Sequence, residues 1–128
     1  MGAETELLER FLRAEVDNRH FHHADHVRVG FELLRRERFP GAVAAYSAAL
    51  RKIAARAGNP GAYHETITVA FLALIAEHAA GADYADFDAF AAANPELMDK
   101  SILRRWYGAE RLDSELARST FVLPGAPQ

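Results

Sequence analysis

The chain contains no cysteine, which excludes disulfides, thiolate nucleophiles and thiolate metal sites together. Any metal must then be held by histidine nitrogen and carboxylate oxygen. No apolar run approaches the roughly 18 residues of a membrane span. The opening residues Met1-Gly2-Ala3-Glu4-Thr5-Glu6 lack the basic-then-apolar order of a signal peptide. These absences read as a cytoplasmic protein that needs no membrane. Charge of one sign is lacking too: 15 basic and 18 acidic residues leave a formal −3, which gives no field to draw in nucleic acid. Neither a glycine-rich phosphate loop nor a Gly-x-Ser-x-Gly, His-Glu-x-x-His or Glu-x-x-His pattern occurs. Nucleotide-dependent, serine-hydrolase and di-iron chemistry therefore have no support.

What is present has the balance of a globular domain, with 50% of its 128 residues hydrophobic and 26% charged. One domain spanning 1–128 suffices, with frayed ends expected at 1–4 and 124–128. Apolar residues recur at helical spacing along most of the chain, so the expected fold is all-α, a compact bundle of four main helices plus short C-terminal helices. The periodicity predicts helices at about 4–16, 20–38 and 40–57, and a fourth from the Gly58-Asn59-Pro60-Gly61 turn to about Ala80. Asp83 and Asn94-Pro95 have the form of N-caps for two shorter helices, the second running to Trp106, and Ser114 caps a final turn. In the second helix Arg28, Glu32 and Arg36 lie opposite the apolar stripe, as a solvated face would.

Six histidines stand out. Helical geometry at about 100° per residue puts His23 and His26 inside the apolar arc of the second helix, with His20 and His22 at its margins. On the fourth helix His64 and His78 both fall on the apolar arc with Ile67, Phe71, Leu74 and Ile75, but 14 residues separate them by about 21 Å, so they cannot share a site. Short connections make neighbouring helices antiparallel and hence the second and fourth parallel, which brings the starts bearing His23, His26 and His64 to one end of the bundle. Gly30 lies one turn beyond His26, where glycine gives up about 1 kcal/mol of helix stability and must serve space or a close helix approach.

Three inward imidazoles of this kind form the metal-ligand hypothesis, with Glu15 as an oxygen ligand if the first helix runs on to Asp17. Zinc or iron come first as the divalent transition metal, with copper or nickel as further candidates. Glu65 turns about 100° from His64 and suits a general base or an outer partner, and Thr68, one turn on, reaches the same face. The expected activity is that of a metal-dependent enzyme acting on a small organic substrate. Two alternatives stay open: a metal-free enzyme in which the same imidazoles do acid/base work, and a non-catalytic helical interaction or scaffold protein. The last includes a homodimer through the Phe87, Phe90 and Trp106 region. Arg104, Arg105, Arg111 and Arg118 read as surface arginines.

At Phe21-His22-His23-Ala24-Asp25-His26-Val27, at Tyr63-His64-Glu65-Thr66-Ile67-Thr68, and at Asn94-Pro95-Glu96-Leu97-Met98-Asp99 followed by Trp106-Tyr107 and Ala117-Arg118, the sequence resembles a family of small uncharacterised bacterial helical proteins. The likeness spans about residues 8–123. It implies an emphasis on His23, His26, His64 and Glu65 rather than on His20, His22 or His78, and a loop-like stretch before Phe21. It implies no particular reaction. Tyr63 joins Glu65 and Thr68 as a candidate catalytic residue.

Overall fold

The computed structural model describes residues 3–125; of the ends expected to fray, 1–2 and 126–128 lie outside the described residues, whereas residues 3 and 4 already belong to the first helix. Four main helices, α1 (Ala3–Leu12), α2 (His23–Arg36), α3 (Phe39–Arg56) and α4 (Glu65–Ala79), are followed by the short α5 (Phe87–Ala93), α6 (Ala109–Leu112) and α7 (Glu115–Ser119). A 3-10 turn lies between α1 and α2 and another between α3 and α4, two lie between α5 and α6, and the described residues contain no strand. None of their helices is long and apolar enough to cross a membrane.

Helix α2 is central because it is apolar on two sides. Val27 and Phe31 pack into one core with Phe71, Ile75, Phe90 and Leu97, while Val29 and Leu33 pack into a second with Phe11, Tyr46 and Ile53. Gly30 lies between these faces, where an added Cβ would stand 3.1 Å from Ile75 Cδ1 and 3.1 Å from Leu72 Cδ2. The glycine thus serves the close approach of α2 and α4. The charged row opposite is not a free solvated face. Arg28 and Glu32 are half-buried, Arg28 lies over the Phe87 ring at 5.0 Å, and Arg36 reaches Glu9 of α1 at 2.7 Å.

Helix α1 stops four residues short of its expected end. The Glu15 N–H bonds to the Arg10 carbonyl (2.8 Å) and the Ala14 N–H to the Phe11 carbonyl (2.8 Å), with Ala14 left-handed at φ 57°. This is a Schellman cap built on alanine where glycine is usual. Arg56 of α3 holds the cap by donating to the Ala14 carbonyl at 2.7 Å. The second helix begins at His23 rather than His20, because 18–20 form a 3-10 turn and Phe21 is extended.

The later boundaries also shift. Asp86, not Asp83, caps α5 by accepting from the Ala89 N–H at 2.9 Å. The helix expected from Asn94 to Trp106 is two 3-10 turns, Pro95–Met98 and Ile102–Arg105. They are separated where the Asp99 carboxylate binds the backbone N–H (2.9 Å) and hydroxyl (2.7 Å) of Ser101. Ser114 caps α7 as expected, accepting from the Ala117 N–H at 3.1 Å. Phe87 and Phe90 are 6% and 0% exposed and belong to the core, so of the three aromatics considered for a dimer face only Trp106, at 48%, is on the surface.

The segment after α7 is strapped to α4. Thr66, fully buried, donates to the Thr120 carbonyl at 2.7 Å and accepts from the Val122 N–H at 3.0 Å. Tyr107 adds a bond to the Val122 carbonyl at 2.8 Å.

Candidate functional site

A cavity of about 490 Å³ opens where α2, α3 and α4 meet, and it is lined by His22, His23, His26, His64, Tyr46 and Thr68 among apolar residues that include Phe21, Phe71 and Ile75. A site of this size, apolar with a few polar groups, is of the kind that holds small molecules. The three imidazoles singled out from the sequence thus share one cavity. Ile67, expected in the core, is instead 38% exposed while still lining it.

Each imidazole is oriented differently. His23, the first residue of α2, places Nε2 2.9 Å from the Leu97 carbonyl. A carbonyl only accepts, so Nε2 carries a proton, and in the neutral ring the lone pair is on Nδ1. The ring also stands edge-on to Phe71 with centroids 4.9 Å apart. One turn later His26 sets Nδ1 3.0 Å from the Tyr46 hydroxyl and packs edge-on against Phe21 at 4.6 Å. Burial pushes His26 down to about 4, and the neighbouring His23 lowers it further while Asp25 opposes. At neutral pH this ring is uncharged. Burial moves Tyr46 the other way, well above the ordinary phenol range, so the pair meets as two neutral groups.

His64 is a structural cap. It precedes α4, its Nδ1 accepts the Ile67 N–H at 3.2 Å, and its Nε2 donates to the Leu112 carbonyl at 2.8 Å. Both ring nitrogens are engaged, so no lone pair is left for a metal without breaking the start of α4 or its tie to α6. His23, at the start of α2, touches Phe71 in the middle of α4, and Gly30, seven residues on, meets Leu72 and Ile75, so the two helices advance in the same sense but cross rather than lie side by side. Their starts are staggered, however. His23 is level with Phe71, seven residues beyond His64, or about 10 Å along the axis.

The proposed carboxylates lie elsewhere. Glu15 follows the end of α1, exposed and paired with Arg13 at 2.9 Å; the Schellman cap turns the chain before this residue can continue the apolar arc. Glu65 accepts from the Tyr63 hydroxyl at 2.5 Å and lies 3.3 Å from Arg51, whose guanidinium covers the Tyr63 ring at 4.6 Å. Tyr63 and Glu65 therefore form a cluster with α3 and do not line the cavity. Thr68 does, with its hydroxyl donated to the His64 carbonyl at 2.8 Å. His20 pairs with Asp17 at the surface, and His78 bonds the buried Asn94 at 2.8 Å. Among the described residues no group of three or more histidine, aspartate or glutamate side chains is arranged to hold a metal ion.

Among the polar lining residues, Tyr46 and Lys100 carried no site role in the sequence reading. Tyr46 reads as one more apolar position on α3, and only its being tyrosine rather than phenylalanine hints at a buried polar partner. Lys100 comes from the short segment between the two 3-10 turns, where no periodicity marks it.

No family model matches this chain, and neither does any curated protein or solved structure.

Proposed function

We propose that the cavity binds a small organic molecule and that His23 and His26 carry out metal-free proton transfer on it. The observation that carries this reading is the pair of imidazoles one turn apart on α2, each with one ring nitrogen fixed by a partner, the Leu97 carbonyl for His23 and the hydroxyl of Tyr46 in the cavity wall for His26. A ring whose Nε2–H is held by a carbonyl presents its Nδ1 lone pair as a base, so His23 accepts the proton. His26, kept neutral by burial, polarises the substrate by hydrogen bonding, as a neutral imidazole does beside a developing negative charge. The apolar walls beside the two rings lower the local polarity and strengthen both interactions.

The fit to a three-histidine metal centre is poor because both His64 nitrogens are occupied. A second reading keeps the metal with His23 and His26 alone. What favours it is that each ring has one nitrogen outside these hydrogen bonds and the other held by an orienting partner, the outer arrangement usual for metal-binding histidines. Zinc or iron would then act as a Lewis acid on the same class of substrate.

Untagged protein, probed by elemental analysis and by side-chain NMR of its histidines, separates the readings. The proposal expects less than about a tenth of an equivalent of transition metal after incubation with Zn(II) or Fe(II). It also expects His23 and His26 ring resonances that move when neutral probes such as 2-phenylethanol or 3-methylbutanamide are added. Stoichiometric metal that locks both rings would replace it with the second reading. Probes that leave both rings unmoved would overturn the site itself.

A further inference from the structure

The polar lining of this cavity is one-sided. Among the described residues it presents imidazoles, two hydroxyls and the ammonium of Lys100, and no carboxylate. The acidic residues nearby are each tied down outside it. Asp25 accepts the His22 backbone N–H at 2.9 Å, Asp99 holds Ser101, and Glu65 is taken by Tyr63 and Arg51. Between these polar groups stand Phe21, Phe71, Leu72 and Ile75, with Phe71 against the His23 ring and Phe21 against the His26 ring, and Ile67 is left partly exposed.

From this asymmetry we infer that the molecule bound here is a small carboxylic acid with an aromatic or branched apolar body, its carboxylate directed to Lys100 and its body laid on the Phe71 side. The inference deepens the proton-transfer reading and rests on it. A cationic ligand would meet Lys100 with no counter-charge in the lining, and a neutral one would leave the ammonium without a partner of its own from the ligand. The chain as a whole carries a formal −3, so any preference for an anion must come from this local feature rather than from the overall field. Lys100 is exposed, which makes its contribution modest and sensitive to salt.

The test compares phenylacetate, phenylacetamide and phenethylamine, three ligands of nearly one shape and three charges, with affinity read from the His26 ring resonances and from calorimetry. The wild-type chain should bind phenylacetate about fivefold more tightly than the amide and the amine most weakly, with the margin shrinking in high salt. Lys100→Gln should level acid and amide, and Lys100→Glu should place the amide above the acid. Equal binding of acid and amide by the wild type overturns the charge inference while leaving the cavity reading in place. A preference that survives in Lys100→Gln overturns the role of Lys100. Failure of all three to bind up to about 10 mM, where affinity falls below roughly 3 kcal/mol, overturns both readings together.

Discussion

Nδ1 of His26 and the hydroxyl of Tyr46 lie 3.0 Å apart, and this pair joins the first turns of α2 to the middle of α3 at the wall of the cavity. Burial keeps both partners neutral, so the contact is an uncharged hydrogen bond in a largely apolar setting. The same tyrosine packs on Phe11 at 4.8 Å and carries the pair into the second core. Tyr46→Phe removes the hydroxyl while keeping the ring. It should cost about 1–2 kcal/mol in urea denaturation, the range for a buried polar group that loses its partner, and should shift the His26 ring signals. No change in either would mean that the bond contributes nothing in solution.

His26 also makes stability depend on pH. Its value falls from 6.5 in the unfolded chain to about 4 in the fold. Between those values the unfolded chain binds a proton on this ring and the folded chain does not. The contribution is therefore complete above pH 6.5 and declines as pH falls toward 4, by at most about 3 kcal/mol and less given partial exposure of the ring. Unfolding free energies at about pH 7 and about pH 4.5 should differ less in His26→Gln than in the wild type. An identical difference in the two proteins would rule out His26 as the source.

His64 tests whether a histidine at this position caps or catalyses. Asparagine retains a side-chain acceptor for the Ile67 N–H, whereas alanine removes that acceptor and the donor to Leu112. His64→Ala should lose about 2–3 kcal/mol, and His64→Asn about 1 kcal/mol less than that. Ligand-induced shifts of His23 and His26 should persist in His64→Asn. Their disappearance from a folded His64→Asn protein would return His64 to the chemistry.

Gly30 sets the distance between α2 and α4. Alanine would add about 0.5–1 kcal/mol of helix preference, but its Cβ would press on Ile75 Cδ1 and Leu72 Cδ2 at 3.1 Å each, an overpacking that costs about 1–3 kcal/mol. The crowding wins, so Gly30→Ala should lower the melting temperature slightly and Gly30→Val much more. A stabilised Gly30→Ala would show that the interface has slack.

Thr66 anchors the strap through two hydrogen bonds. Thr66→Val keeps the shape but strands the Thr120 carbonyl and the Val122 N–H, at about 2–3 kcal/mol; Thr66→Ser should recover most of the loss. Hydrogen exchange should quicken over 120–123 in the valine variant alone. Equal protection in all three proteins would show that the strap is held without Thr66.

Helix positions were legible because burial of an apolar stripe fixes a helix whatever its neighbours do, as for Val27, Phe31 and Leu34 on α2 or Phe71, Leu74 and Ile75 on α4. Helix ends were less so. Ala14 takes a left-handed conformation in which sequence alone would look for glycine, and Asn94 turns its side chain inward to Tyr84 and the Phe90 carbonyl rather than capping the next turn. The periodicity also placed His23, His26 and His64 on inward faces, and all three reached one cavity.

The sequence by itself determined the main apolar stripes, because a helix repeats its faces at a fixed angle from local backbone geometry alone; it misplaced Ile67, which is exposed, and the half-buried Arg28 and Glu32. The tertiary structure decided what those side chains do. The stagger of α2 against α4, the carbonyls of Leu97 and Leu112 brought in from distant segments, and the arrival of Lys100 on a non-helical link depend on how whole elements pack. Contacts between residues far apart along the chain leave no periodic trace in it.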